Sequence, residues 1–391
     1  MFLTSLFDEK LLQYNGAISN WTWNDAVVEA KLATENVAAL LVSKLDRLGE
    51  SQKSILKIAA CLGGRFDKST VATVITGFSE RETDADSLML LDQSVDEFER
   101  EGIWEKEKED EWHFSHDKIQ LVAFELISIE KRDSFRGEIG SILLEKFDSE
   151  ALEKNLFEVV SLRNFAVAII TNNDERKELA KMNLRAGMKV RIQSVYCDLI
   201  TSCNLLTFIC HYHHFLPKAS ENAALDSADI YFKAGREVLG LANGWDIDHP
   251  TMLKLYSEGA NACFISGDLG TMNKLIAEVL SRDIPIQDKF NAYEVKIRAA
   301  YAEAEFIEVI NIAFDIRRQL GLHSPKNKPA SPLIVIKEFI KINHALGNKT
   351  AEDIANLPNL TDDCIAMGQR MLNLSASASF TVSIISCISL A

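Results

Sequence analysis

The stretch LGGRFDKST (Leu62 to Thr70) sets a glycine pair ahead of Lys68, Ser69 and Thr70, residue types that elsewhere hold a nucleotide phosphate. A phosphate loop needs Gly, four residues, Gly, Lys, then Ser or Thr, so that backbone N–H groups cradle the phosphates and the lysine reaches the terminal one. Counting back from Lys68 puts Asp67 at the second glycine position and Leu62 at the first. A carboxylate there repels phosphate. The loop should also follow a buried strand, whereas Ile55, Ile58, Ala59 and Leu62 recur with the period of a helix. The expected role is a tight reversal between two helices, with Phe66 in the core.

Cys203, Cys210, His211, His213 and His214 are the best metal candidates by type, since thiolate and imidazole suit zinc. Their spacing lacks the paired C-x2-4-C and H-x3-5-H geometry that lets two short loops grip one ion, so no metal is expected. His116 and Asp117 have the makings of an acid and base pair, but no nucleophile accompanies them. The reading preferred for them is structural: Ser115 or Asp117 caps a helix and His116 packs at the base of a hairpin. No catalytic and no cofactor-binding residue is assigned.

Lys177, Lys181, Arg185 and Lys189 follow at i, i+4 along one helix face, which suits a solvated surface or a docking face for an acidic partner. Trp21 and Trp23 are expected to anchor a segment by packing. Over Asp96 to Lys118 ten acidic residues face four basic ones, a balance that pushes a phosphate backbone away.

The elements that must position these residues are almost all helical. Of 391 residues 47% are hydrophobic and the net charge is −15, which fits a globular chain with protein or small-ligand partners rather than nucleic acid or anionic membrane. Seven scattered cysteines, an odd number, point to a reducing, cytoplasmic setting. The first residues reach Asp8 and Glu9 before an apolar core of signal-peptide length forms, so secretion is not expected. Helical periodicity runs through 36–48, 52–62 and 68–76. Gly102 then introduces GIWEKEKEDEWHFS, read as a hairpin and as the chain's one β element. From Asp148 onward the pattern is helices in pairs: 151–170, 174–194, 228–241, 250–266, 269–280, 286–301 and 304–320. In the last pair, Ala302 and Ala304 are expected at a close helix contact. Three prolines in SPKNKPASP mark a linker, and the uncharged, serine-rich 371–391 is expected to be disordered rather than a tail anchor.

The ordered blocks NWTWND, ENVAALLVSKLDRL, LKIAACLGGRFD, FSHDKIQLVAFELI, ELAKMNLRAGMKV and YFKAGREVL resemble the segment that follows the AAA-type, STAND-like ATPase core of large multidomain signalling proteins. These are signal-transduction ATPases fused to histidine kinases, serine/threonine kinases or nucleotide cyclases. The resemblance implies a mainly α fold: the end of an ATPase lid (1–34), a small winged-helix domain with one β-hairpin (35–147), and a TPR-like α-solenoid arm (148–323). A linker with one or two further helices follows (324–391). It also implies structural family positions at Trp23, Gly63, Phe66, His116, Asp117, Gln120, Asn183, Gly187 and Gly235. Residues 198–227 depart from the family pattern and read as an insertion or a retained intron.

The function so implied is a non-catalytic regulatory and protein-interaction module, with ATP and magnesium expected only in a nucleotide-binding core upstream of this segment. Two other readings stand beside it: a fragment of a kinase parent acting in phosphorelay signalling, and a winged-helix transcription regulator.

Overall fold

The computed structural model describes residues 12–15, 20–23, 45, 47–78, 84–203, 227–322, 332–347, 349–350, 352–353 and 362–389. The fold is mainly helical. It forms two compact units, 1–172 and 173–391.

In the first unit, strands β1 (Leu12–Asn15) and β2 (Asn20–Trp23) pair antiparallel, Leu12 opposite Trp23. Helix α1 (Glu50–Leu62) starts where Gly49 N–H donates to Gln52 Oε1 at 3.0 Å, and it buries Ile55, Leu56, Ile58 and Ala59. It stops at Gly63, whose φ of +134° suits a residue without Cβ and whose N–H donates back to Ala59 O. Strand β3 (Arg65–Asp67), helices α2 (Lys68–Phe78) and α3 (Asp84–Arg100), strands β4 (Trp104–Lys106) and β5 (Glu111–Phe114) and helix α4 (Asp117–Glu125) follow. The second sheet is antiparallel in the order β3-β5-β4, with Phe66 opposite Trp112 and Trp104 opposite Phe114.

The expectation of a single β element is therefore corrected. LGGRFD carries a strand, three residues long, in place of a bare turn, and β1 and β2 make a further hairpin. Three residues are too few for a period to show; the strand exists because Phe66 is drawn into the core against Trp104 and Phe114, at 4.7 and 5.6 Å between ring centroids. Trp23, expected as a packed anchor, is 55% exposed. The side chain of Trp21, and most of 1–34 and 36–48, lie outside the described residues.

Helix α5 (Arg132–Lys146) packs against α2 and against α7 (Leu156–Phe165), with α6 (Ser149–Lys154) between them in sequence. The one helix expected over 151–170 is thus two. Asn155 separates them, its amide donating to Ala151 O. Helices α6 and α7 belong to the first unit.

In the second unit, α8 (Asn173–Cys203) and α9 (Ser227–Leu239) form a packed pair, and the short α10 (Gly244–Ile247) leads into α11 (His249–Ser266). Helix α8 runs into the suspected insertion as far as Cys203, and 204–226 lie outside the described residues. Helix α11 pairs with α12 (Leu269–Ser281), and α13 (Phe290–Ala302) with α14 (Phe306–Gln319). Neighbouring pairs touch through α9 and α11 and through α12 and α13. Ala302 and Ala304 are exposed; Ala304 bends the chain at a φ of +60°, and the close helix contacts fall to the buried Ala292, Ala299, Ala300 and Ala313. Helix α15 (Pro332–Leu346) precedes α16 (Asp363–Ser389).

The tail expected to be disordered is corrected by α16, which packs on α14 and α13. Met371 and Ala378 join the core of α13 and α14, and Gly368 lies so close to Leu322 that a Cβ would stand 2.2 Å from it. Arg370 pairs with the buried Glu294 at 2.8 Å. Small serines and alanines let the helix approach closely, so its low hydrophobic contrast does not prevent docking. Among the described residues, no helix is long and apolar enough to cross a membrane.

Candidate functional site

The groups that a phosphate would need at Lys68 to Thr70 are engaged by carboxylates. Ser69 donates its N–H to Asp110 Oδ1 at 3.0 Å and its hydroxyl to Asp110 Oδ2 at 2.5 Å, so Asp110 caps α2. Lys68 Nζ pairs with Asp92 at 2.5 Å. Asp67 is buried and held by Lys154 at 2.9 Å, a bond that pushes the lysine's pKa up. The resulting field is negative where a nucleotide would bring more negative charge.

His116 itself caps α4: its Nδ1 accepts from Lys118 N–H at 3.0 Å, and the ring is exposed. This corrects the assignment of the cap to Ser115 or Asp117 and of His116 to packing. Ser115 instead donates to Gly102 O at 2.6 Å, and Asp117 stands exposed in the first turn. Gln120 donates to Ala60 O, fastening α4 to α1 beside Gly64.

Three of the family-pattern positions of the second unit come together. Asn183 is fully buried and donates to Leu179 O. A Cβ on Gly187 would stand 2.6 Å from the Phe232 ring, and one on Gly235 would meet Leu255 at 2.7 Å and Asn183 Cβ at 3.2 Å. They set the distance between α8, α9 and α11, a packing role.

Lys177, the first residue of the basic stripe on α8, lines an open cleft. Its cavity, about 740 Å³, is lined by Asn173, Arg176 and Lys177 of α8 and by the turn from Leu239 to Asn243, with Asp246 and Ile247. Gly240, at a φ of +89°, makes that turn possible. Lys177 pairs with Asp174 at 3.1 Å and Lys181 with Asp248 at 3.5 Å, while Arg185 is exposed. The i, i+4 spacing revealed the stripe but not Arg176 or Asp248. Asp248, followed by Pro250 and Thr251, is a helix-start pattern that was legible.

Asp248 accepts the N–H of Thr251 at 3.2 Å and its hydroxyl at 2.9 Å, capping α11. Burial acts to raise its pKa, but the Thr251 bonds and the Lys181 charge outweigh burial and lower it. Because the folded value lies below the ordinary 3.8, the carboxylate's contribution is complete above 3.8 and is lost as pH falls through the depressed value. Asp248→Ala is expected to destabilise by about 1 kcal/mol at pH 6. In urea titrations at successively lower pH, the gap from the wild type should close below 3.8; a gap that stays constant there would refute the cap's charge dependence.

Burial, ahead of any charge effect, raises the thiols of Cys61 to about 11 and Cys263 to about 12, which leaves both protonated and poor nucleophiles at neutral pH. Among the described residues, no group of three or more His, Cys, Asp or Glu could hold a metal ion. Cys210, His211, His213 and His214 lie outside them.

No family model matches the chain, and no solved structure matches it. A curated protein that it resembles is the hybrid signal transduction histidine kinase G of Dictyostelium discoideum, 20% identical over 407 residues. The match takes in 91% of this chain and 11% of that protein, so the chain spans about a tenth of the length of its relative. Its sequence is thereby related, distantly, to that of a signalling protein.

Proposed function

We propose that the chain is a regulatory, protein-binding module of a signal-transduction ATPase and kinase type of protein, and that it does no chemistry itself. The first unit is read as a winged-helix element. Its order of helix, strand, two helices and a hairpin, with β3 joining the far side of β5, supports that reading. The paired helices of the second unit, each pair touching the next, support a TPR-like arm. We assign 1–34 to the end of an ATPase lid, and the setting is the cytoplasm.

The observation that carries the proposal is the cleft of α8 and the α9–α10 turn. Arg176 and Lys177 stand on one side, with the half-exposed Leu241 in the turn opposite. That combination fits a peptide segment with an acidic and an apolar side chain, and the stripe through Lys181 and Arg185 extends it. At LGGRFDKST, by contrast, Asp110 and Asp92 hold the groups that nucleotide chemistry would require.

Two measurements on the purified chain test this. Magnesium-dependent ATP hydrolysis should be at background, and saturable hydrolysis lost in Lys68→Ala would overturn the non-catalytic reading. A fluorescent peptide of alternating Glu and Leu should bind with a salt-sensitive affinity that falls about tenfold in Lys177→Glu/Arg185→Glu. Equal binding by the variant would remove the cleft from the proposal. The acidic β4–β5 hairpin disfavours the transcription-regulator reading.

A further inference from the structure

Helix α15 differs from its neighbours. Every side chain described on it, from Ile336 to Leu346, is exposed, including Phe339 at 63% and Ile340 at 61%. At 100° per residue, Ile336, Phe339, Ile340, Ile342 and Leu346 fall on one side of the helix, and Lys337, Lys341 and His344 on the other. The helix also sits in a basic stretch: residues 324–349 hold five lysines and one glutamate, in a chain of net charge −15. An exposed apolar helix face of this kind is a docking element.

The chain carries a surface of the opposite character. Helix α3 has six acidic residues and one arginine. Its outward side begins with Leu88, Met89 and Leu90, of which Met89 is 56% exposed, and continues through the exposed Asp92, Asp96 and Glu99. Asp92 is engaged by Lys68, which leaves Asp96 and Glu99 as the acidic pair beyond the apolar turn. In a winged-helix arrangement this is the helix that would face DNA, and its charge has the wrong sign for that task.

We propose that α15 of one copy docks on the outward face of α3 of a second copy, with Phe339 and its neighbours against Leu88 to Leu90 and the lysines beside Asp96 and Glu99. Opposite charge sets the pairing and apolar burial supplies the affinity. An anionic lipid surface is the poorer occupant, because the chain as a whole is acidic. A contact made by one helix lies at the small end of protein interfaces, so the association is expected in the micromolar range.

Sedimentation velocity of the full chain tests the proposal from about 1 to about 100 µM, the range suited to so small a contact. The weight-average mass should rise with concentration and fall as salt is raised from about 0.05 to about 0.5 M, because screening removes the steering charges. Lys337→Glu/Lys341→Glu and Asp96→Lys/Glu99→Lys, all at exposed sites, should each weaken self-association about tenfold or more. A mixture of the two variants should associate again, because the reversed α15 of the first then meets the reversed α3 of the second. A wild-type chain that stays monomeric throughout overturns the proposal. So does a mixture that fails to associate, or association that survives the α3 substitutions. Monomeric chain that pellets with phosphatidylserine vesicles would assign α15 to lipid and overturn it as well.

Discussion

Trp104→Ala is expected to destabilise the first unit by about 3 to 5 kcal/mol, the cost of emptying a large aromatic site in a core. Trp104 is fully buried at the start of β4. It stands edge-on to Phe66 at 4.7 Å, Phe98 at 4.8 Å and Phe114 at 6.1 Å, so one side chain joins β3, α3 and β5. Total stabilities of domains run to about 5 to 15 kcal/mol, so this loss is a large share of the whole. Trp104→Phe should cost much less, under about 1.5 kcal/mol. The indole N–H of Trp104 is buried without a hydrogen-bond partner among the described residues, and phenylalanine removes that unpaired donor while keeping most of the ring. Hydrogen exchange resolved to residues 50–170 reads the effect within this unit. If alanine and phenylalanine were equally costly, ring packing would not be what holds the sheet to α3.

The same cluster shows which parts of this fold could be read in the sequence. Glu50–Leu62, Leu269–Ser281 and Phe306–Gln319 were legible because each buries one stripe, and a stripe leaves a helical period in the residues. Strand β3 left no period, since only Phe66 and Asp67 are buried and their partners lie more than forty positions away on β5. Helix α16 was hidden for a related reason. Its docked positions include Ser375 and Ala378, whose burial depends on α13 and α14 and not on their own hydrophobicity. The reversal at Ala304 could not be foreseen, because alanine has no preference for a φ of +60°. Of the candidate site, the i, i+4 spacing revealed Lys177, Lys181, Arg185 and Lys189. The turn that closes the cleft against Arg176 is a tertiary fact.

Those site residues also show how charge is used in each unit. Around LGGRFDKST, Asp67, Asp92 and Asp110 are each matched to a lysine or a helix N-terminus, so the acidic residues there serve the fold. Along α8, Lys177 and Lys181 are matched to Asp174 and Asp248, with Asp174 the exposed member of the first pair and Lys181 of the second. Solvent-exposed pairs of this kind contribute little to stability, so an acidic ligand can compete for the lysines at small cost.

The largest effect in the second unit is expected at the contact of Gly187 with Phe232, where space and not backbone conformation demands glycine. A methyl group there would lie 2.6 to 2.8 Å from three atoms of the Phe232 ring, and that ring is fully buried between helices. Gly187→Ala should therefore cost about 1 to 3 kcal/mol through overpacking, despite alanine's better helix propensity. Phe232→Ala should cost about 3 to 5 kcal/mol, and Phe232→Leu less. Because the two sites share one volume, Gly187→Ala combined with Phe232→Leu should cost less than the sum of the single changes, by at least about 0.5 kcal/mol. Gly240→Ala is the control: its φ of +89° makes alanine strained, yet no atom lies within 4 Å of the added Cβ, so its cost should not depend on residue 232. Denaturation read by hydrogen exchange over α8, α9 and α11 measures the wild type and each variant, with Gly240→Ala also placed on Phe232→Leu. Additivity of the Gly187 and Phe232 changes to within about 0.3 kcal/mol would show that the glycine does not set the approach of α8 to α9, and the packing role argued for Asn183, Gly187 and Gly235 would fail with it.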